Sequence, residues 1–162
     1  MGIRGLTNLV WCAFFMGVLV YHALIISRVL PQQEAGAAGA LLGAALLLLA
    51  ILQLLTLVAL DVFLVSRPRK LRVTGELLDQ LLPPGGAPVD EALVARRAKA
   101  AYYLRLFVLL CALAEAVGIY GLVLYLLGGA VAQVHTILGL AYVSLLYVRM
   151  RMATTWERMY LG

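Results

Sequence analysis

Charged residues are scarce in this chain of 162 residues. Only 13% of the residues are Asp, Glu, Lys or Arg, about half the share in a typical soluble domain, and 64% are apolar. A soluble globular domain does not have this composition, and an integral membrane protein does. The net charge of +5 therefore does not indicate nucleic-acid binding, and it is better explained by membrane orientation and contact with anionic lipids.

Cysteine is also rare, and this excludes several kinds of site. The two cysteines, Cys12 and Cys111, lie inside apolar segments and form neither a disulfide framework nor a metal-ligand spacing. The polar connections contain no nucleophile elbow, no phosphate-binding loop and no pair of catalytic carboxylates. We therefore predict a protein that is not an enzyme and that has no resident metal or cofactor.

The apolar residues are concentrated in four segments. Each is close to the roughly 20 residues that a helix needs to cross a bilayer, and their approximate bounds are 6–26, 36–65, 104–127 and 130–148. The first is longer than the apolar core of a signal peptide, usually about 7–15 residues, so we expect it to be retained as a helix. The sequence predicts an all-α, polytopic membrane protein with four transmembrane helices in a single domain, 1–162.

The connection 66–103 is polar and basic. Within it, residues 74–82 place leucines at helical spacing among acidic and amide side chains, which predicts an amphipathic helix on the membrane surface. Of the 13 Lys and Arg residues, all but Arg28 fall on the side of this connection and of both termini. The positive-inside rule therefore predicts a cytoplasmic connection and two cytoplasmic termini, in a membrane that we expect to be the prokaryotic inner membrane.

The third apolar segment carries an acid at its centre, Glu115. Ionisable side chains at that depth are costly, so they are candidates for functional sites. Helices 2 and 3 run in opposite directions, which places Gln53 at a similar depth, with Thr56 one turn further along and Tyr120 within reach of Glu115. Away from water the neutral form of a carboxyl is favoured, so we expect Glu115 to be mostly protonated.

Residues 112–123 (ALAEAVGIYGLV) resemble the carboxylate-bearing helix of rotary ATP synthase proteolipid (c) subunits. In that family the acid carries a proton or a sodium ion round a rotating ring. The resemblance implies that Glu115 is the ion-carrying acid, with Tyr120 as its hydrogen-bond donor and Gln53 as the counterpart of a first-helix glutamine. Position 116 is alanine, whereas sodium-binding members often have Ser or Thr there, so the implied ion is a proton.

Two functions remain open for Glu115. As a neutral, hydrogen-bonded acid it would fasten helix 3 to helix 2 or to a partner chain, in a structural or accessory subunit of a homo-oligomer or a larger membrane complex. As an exchangeable acid it would take up and release a proton. Small residues allow helices to pack closely, although they are also ordinary in alanine-rich helices. The candidates for such packing are Gly36, Gly39, Gly43, Ala114, Gly118 and Gly121.

Two further pairs of polar residues are predicted to lie at matching depths. Asp61 near the inner end of helix 2 matches Arg105 on helix 3, which predicts an interfacial salt bridge. His22 on helix 1 and His135 on helix 4 both fall near the outer surface. Two facing histidines could hold a b-type haem or line a quinone site, and otherwise they would hydrogen-bond to neighbouring helices.

Overall fold

The computed structural model describes residues 3–28, 37–66, 91–152 and 154. The described residues form four helices and no strand; the helices are α1 (Ile3–Ile26), α2 (Ala37–Ser66), α3 (Glu91–Leu126) and α4 (Val131–Arg151). Each of them contains a segment long and apolar enough to cross a membrane. The all-helical prediction with four such helices is therefore confirmed. The predicted amphipathic helix at 74–82 and the glycine at position 36 lie outside the described residues.

Helix α3 begins at Glu91, well before the apolar segment predicted to begin at 104. Its basic first turns continue directly into the apolar part, because no proline or glycine interrupts residues 91–117. Only the apolar part, Lys99–Leu126, has the composition of a membrane span.

A tight turn joins α3 to α4, as the paired glycines predict. Gly128 has a φ of 77°, a conformation that side chains strongly disfavour. Its N–H bonds the Tyr125 carbonyl at 3.1 Å, and the Gly129 N–H bonds the Leu124 carbonyl at 2.8 Å. These two bonds form a Schellman motif, which ends α3 and reverses the chain. Helices α3 and α4 are consequently antiparallel neighbours.

The α3–α4 hairpin is the centre of the fold, and α1 and α2 pack on its flanks. Each flanking helix contacts both members of the hairpin. The apolar segments of α3 and α4 are 44% and 39% buried, whereas those of α1 and α2 are 11% and 17% buried. Most of the apolar surface of α1 and α2 therefore faces outward, where a bilayer would cover it.

Small residues on α3 allow the helices to approach closely. A Cβ atom at Gly121 would lie 3.1 Å from Leu138, and one at Gly118 would lie 3.2 Å from Val18 on α1. Ala114 on the same helix is completely buried. Gly43 on α2 is also buried, and the side chains of α4 leave no room for a Cβ atom there. Gly39 lies in the first turn of α2.

Basic side chains mark one end of the bundle. Lys99, Arg105, Arg149 and Arg151 lie at or near this end, which we call the basic end. The opposite end carries the glycine turn and Arg28, and we call it the turn end. Trp11 of α1 contacts α4 close to the basic end, and His22 contacts α4 close to the turn end, so α1 is antiparallel to α4.

Replacing Gly121 with leucine should destabilise the hairpin. The added side chain would meet Leu138 on α4, and overpacking of this kind costs about 1–3 kcal/mol. Gly139→Leu is the matched control, because a Cβ atom at Gly139 has nothing within 4 Å. Unfolding by denaturing detergent in mixed micelles, followed by circular dichroism, would measure both. Equal stability of the two variants would contradict close packing at Gly121.

Candidate functional site

Glu115 lies near mid-height of the bundle and faces α1. The Tyr21 hydroxyl donates a hydrogen bond to Glu115 Oε1 at 3.0 Å. Gly17 lies one turn before Tyr21, and a Cβ atom at that position would overlap Glu115 Oε1. Gly17 therefore makes the space that the carboxyl occupies, and Tyr21 supplies its donor. The carboxyl group is half-buried between α1 and α3.

Gln53 and Tyr120, which were predicted to lie beside Glu115, instead meet each other at a contact between α2 and α3. The Tyr120 hydroxyl donates to Gln53 Oε1 at 2.7 Å, and Gln53 Nε2 donates to the Leu113 carbonyl at 2.6 Å. Thr56 is exposed and donates to the Leu52 carbonyl of its own helix at 2.9 Å. Gln53 and Tyr120 thus form a separate contact on another face of α3, and Thr56 takes no part in it.

Helix geometry explains why this predicted cluster divides. Leu113 and Tyr120 are seven residues apart, which is nearly two full turns, so both face α2. Glu115 lies about 140° round the helix axis from Tyr120 and points towards α1. Counting residues along each helix predicted only the height of each residue. It carried no information about the direction in which each side chain points.

Asp61 on α2 forms an ion pair with Arg151 on α4, near the basic end. Its carboxylate is buried, with 1% of the residue exposed, and Oδ2 accepts from Arg151 Nε and from the Tyr147 hydroxyl, both at 2.7 Å. The prediction named Arg105 on the neighbouring helix as its partner, but Arg105 is exposed. Tyr147 and Arg151 are four residues apart, so they present both donors on one face of α4.

The two histidines face each other across α1 and α4. The ring centroids of His22 and His135 are 5.3 Å apart, and the rings are tilted by 54°. Tyr142 donates to the Val18 carbonyl at 3.4 Å and lies 3.4 Å from His22 Nδ1. A haem with two axial histidines places its macrocycle between the two rings, whereas these rings are in direct contact. The arrangement fits a smaller ligand better than a haem.

Several contact residues were missed at the level of sequence. Trp11 joins α1 to α4, because its Nε1 donates to the Leu145 carbonyl at 3.0 Å. Gln133 Oε1 is buried against Gly43 and has no hydrogen-bond partner in the described part of the chain. The residues that contact Glu115 and Asp61 could have been found from their spacing. Gly17 and Tyr21 are four positions apart, as are Tyr147 and Arg151, so each pair lies on one face of its helix.

Comparison with known proteins finds no match. No protein-family model, no curated protein and no solved structure is similar to this chain. The resemblance of residues 112–123 to proteolipid subunits therefore stays a prediction from those residues. Among the described residues, no group of three or more His, Cys, Asp or Glu side chains is placed to hold a metal ion.

Replacing Gln53 with leucine should loosen α2 from α3. The change removes both hydrogen bonds of the amide group, and interhelical bonds of this kind are worth about 0.6–2 kcal/mol in a membrane. Thr56→Val is the matched control, because Thr56 bonds only its own helix among the contacts described for it. Denaturing-detergent titrations of the two variants would measure the difference, and a larger loss in Thr56→Val would contradict these contacts.

Proposed function

We propose that this chain is an integral membrane protein of the prokaryotic inner membrane, with its basic end in the cytoplasm. Support for the membrane comes from the four apolar helices and from the exposed leucine, isoleucine and valine side chains on α1 and α2. Support for the orientation comes from the distribution of the basic residues, which follows the positive-inside rule.

Within that membrane, we propose a structural or accessory role without catalysis. The chain would pack laterally with copies of itself or within a larger membrane complex. One observation carries this proposal: the polar side chains inside the apolar segments mostly join one helix to another. Glu115 forms a hydrogen bond with α1, Gln53 forms one with α3, and Asp61 forms an ion pair with α4. These contacts hold the bundle together.

The role of Glu115 as a fastener can be tested by two substitutions. Glu115→Gln should retain assembly, because the amide oxygen still accepts the Tyr21 hydrogen bond. Glu115→Leu should weaken the attachment of α1 by about 0.6–2 kcal/mol, because no acceptor remains. Light scattering after extraction in mild detergent would report the assembly, and denaturing-detergent titration would report stability.

Light scattering of the wild-type protein in mild detergent also tests lateral assembly. We expect particles whose protein mass exceeds the 17.5 kDa of one chain. A uniform particle of one chain from native membranes would contradict the accessory-subunit proposal. Equal stability of Glu115→Gln and Glu115→Leu would show that the carboxyl does not fasten α1 to α3.

A second candidate function is proton exchange at Glu115, and one observation favours it. Glu115 is only half-buried, and Tyr21 is its only hydrogen-bond partner in the described structure. A carboxylate and a neutral carboxyl can both accept the Tyr21 hydrogen bond, so this bond does not lock one protonation state. The resemblance to proteolipid subunits points to the same chemistry.

Dicyclohexylcarbodiimide would test this function, because it reacts with protonated carboxyls in apolar surroundings. If Glu115 exchanges protons, its labelling in native membranes should increase as the pH is lowered. Peptide mass spectrometry would locate the adduct. Glu115→Gln should abolish the labelling, whereas Asp61→Asn should not change it, since buried Asp61 is ion-paired with Arg151. Absence of labelling at every pH would reject proton exchange.

A further inference from the structure

The contact between His22 and His135 brings two metal-ligating side chains together near the turn end. His22 lies four residues before the end of α1, and His135 lies four residues after the start of α4. Each is therefore about 6 Å inside the end of its helix. At that depth an ion could reach the rings from water without crossing the apolar interior.

The distance between the rings is suitable for a shared ion. A metal lies about 2 Å from each ligating nitrogen, and two imidazoles on a tetrahedral ion then have centroids about 5 Å apart. The observed separation is 5.3 Å. The rings are tilted by 54° to each other and are not stacked in parallel. We propose that His22 and His135 bind a divalent transition metal ion that links α1 to α4.

Tyr142 prepares His22 for this role. Its hydroxyl donates to the Val18 carbonyl, so the phenolic oxygen is free to accept a hydrogen bond from His22 Nδ1–H. This assignment places the ring proton on Nδ1 and leaves the Nε2 lone pair available to a metal. A ligating histidine commonly has such a partner on its other nitrogen, which holds the ring and its tautomer in place.

The chemistry of the donors selects the class of ion. Two neutral imidazoles suit Zn²⁺, Cu²⁺ and Ni²⁺, whereas Mg²⁺ and Ca²⁺ prefer oxygen ligands. His135 is exposed one turn after the start of α4, so water at the turn end can complete the coordination shell. A site with two protein ligands holds its ion less tightly than a four-ligand structural site, and it is expected to exchange the ion. The ion would fasten α1 to α4 reversibly.

Zinc binding to the full chain in detergent tests the proposal. The chain contains only two histidines, so it should be purified without a polyhistidine tag. Equilibrium dialysis should find one Zn²⁺ per chain and no competition by Mg²⁺. His22→Ala and His135→Ala should each abolish this binding, and Tyr142→Phe should weaken it roughly tenfold. Thr136→Ala is the control, because this exposed neighbour of His135 bonds the Ala132 carbonyl of its own helix.

Measurements on the wild-type protein keep the proposal testable even if the variants fail to fold. Diethylpyrocarbonate modifies histidine, and Zn²⁺ should protect both rings of the wild-type chain from it. Electron paramagnetic resonance of the Cu²⁺ form should show coupling to two imidazole nitrogens. Absence of Zn²⁺ binding, or equal binding by the wild-type chain and both alanine variants, would overturn the proposal. Modification of both rings at an unchanged rate with Zn²⁺ present would overturn it as well.

Discussion

Polar contacts between helices are the constraint on which this bundle depends. In an apolar bilayer a leucine gains little by exchanging lipid for a neighbouring helix, so the hydrophobic effect does not choose which helices adjoin. Close packing at small residues and hydrogen bonds make that choice. Here Gly118 and Gly121 permit close approach on α3. The polar side chains then attach each flanking helix to the central hairpin.

Helix α2 is attached to the hairpin at three heights, and α1 at two. Helix α2 meets α4 at Gly43 near the turn end, α3 at Gln53 in the middle, and α4 again at Asp61 near the basic end. Helix α1 meets the hairpin at Trp11 near the basic end, and at the adjacent residues Tyr21 and His22 further towards the turn end. Contacts spaced in this way define rotation and register together, which a single bond cannot do.

The polar residues of these contacts fall into two groups, according to whether their polar atoms are already used within the bundle. Gln53 and Asp61 use their polar atoms in contacts between helices of the bundle. Glu115 is half-buried with one described donor, and exposed His135 faces His22 near the turn end. Among the described residues, these two places are the ones where we propose that a proton or an ion binds.

The sequence by itself determined the helical class, the four apolar helices and the glycine turn, because length, composition and local backbone preference are properties of short segments. It also predicted similar depths for Glu115 and Gln53. Only the tertiary structure decided that Tyr120 bonds Gln53 and that Glu115 instead faces Tyr21 across Gly17. Depth follows from counting residues along one helix, whereas the neighbour of a side chain depends on how each helix is rotated about its axis. That rotation is set by all the contacts of the bundle together, and no single segment encodes it.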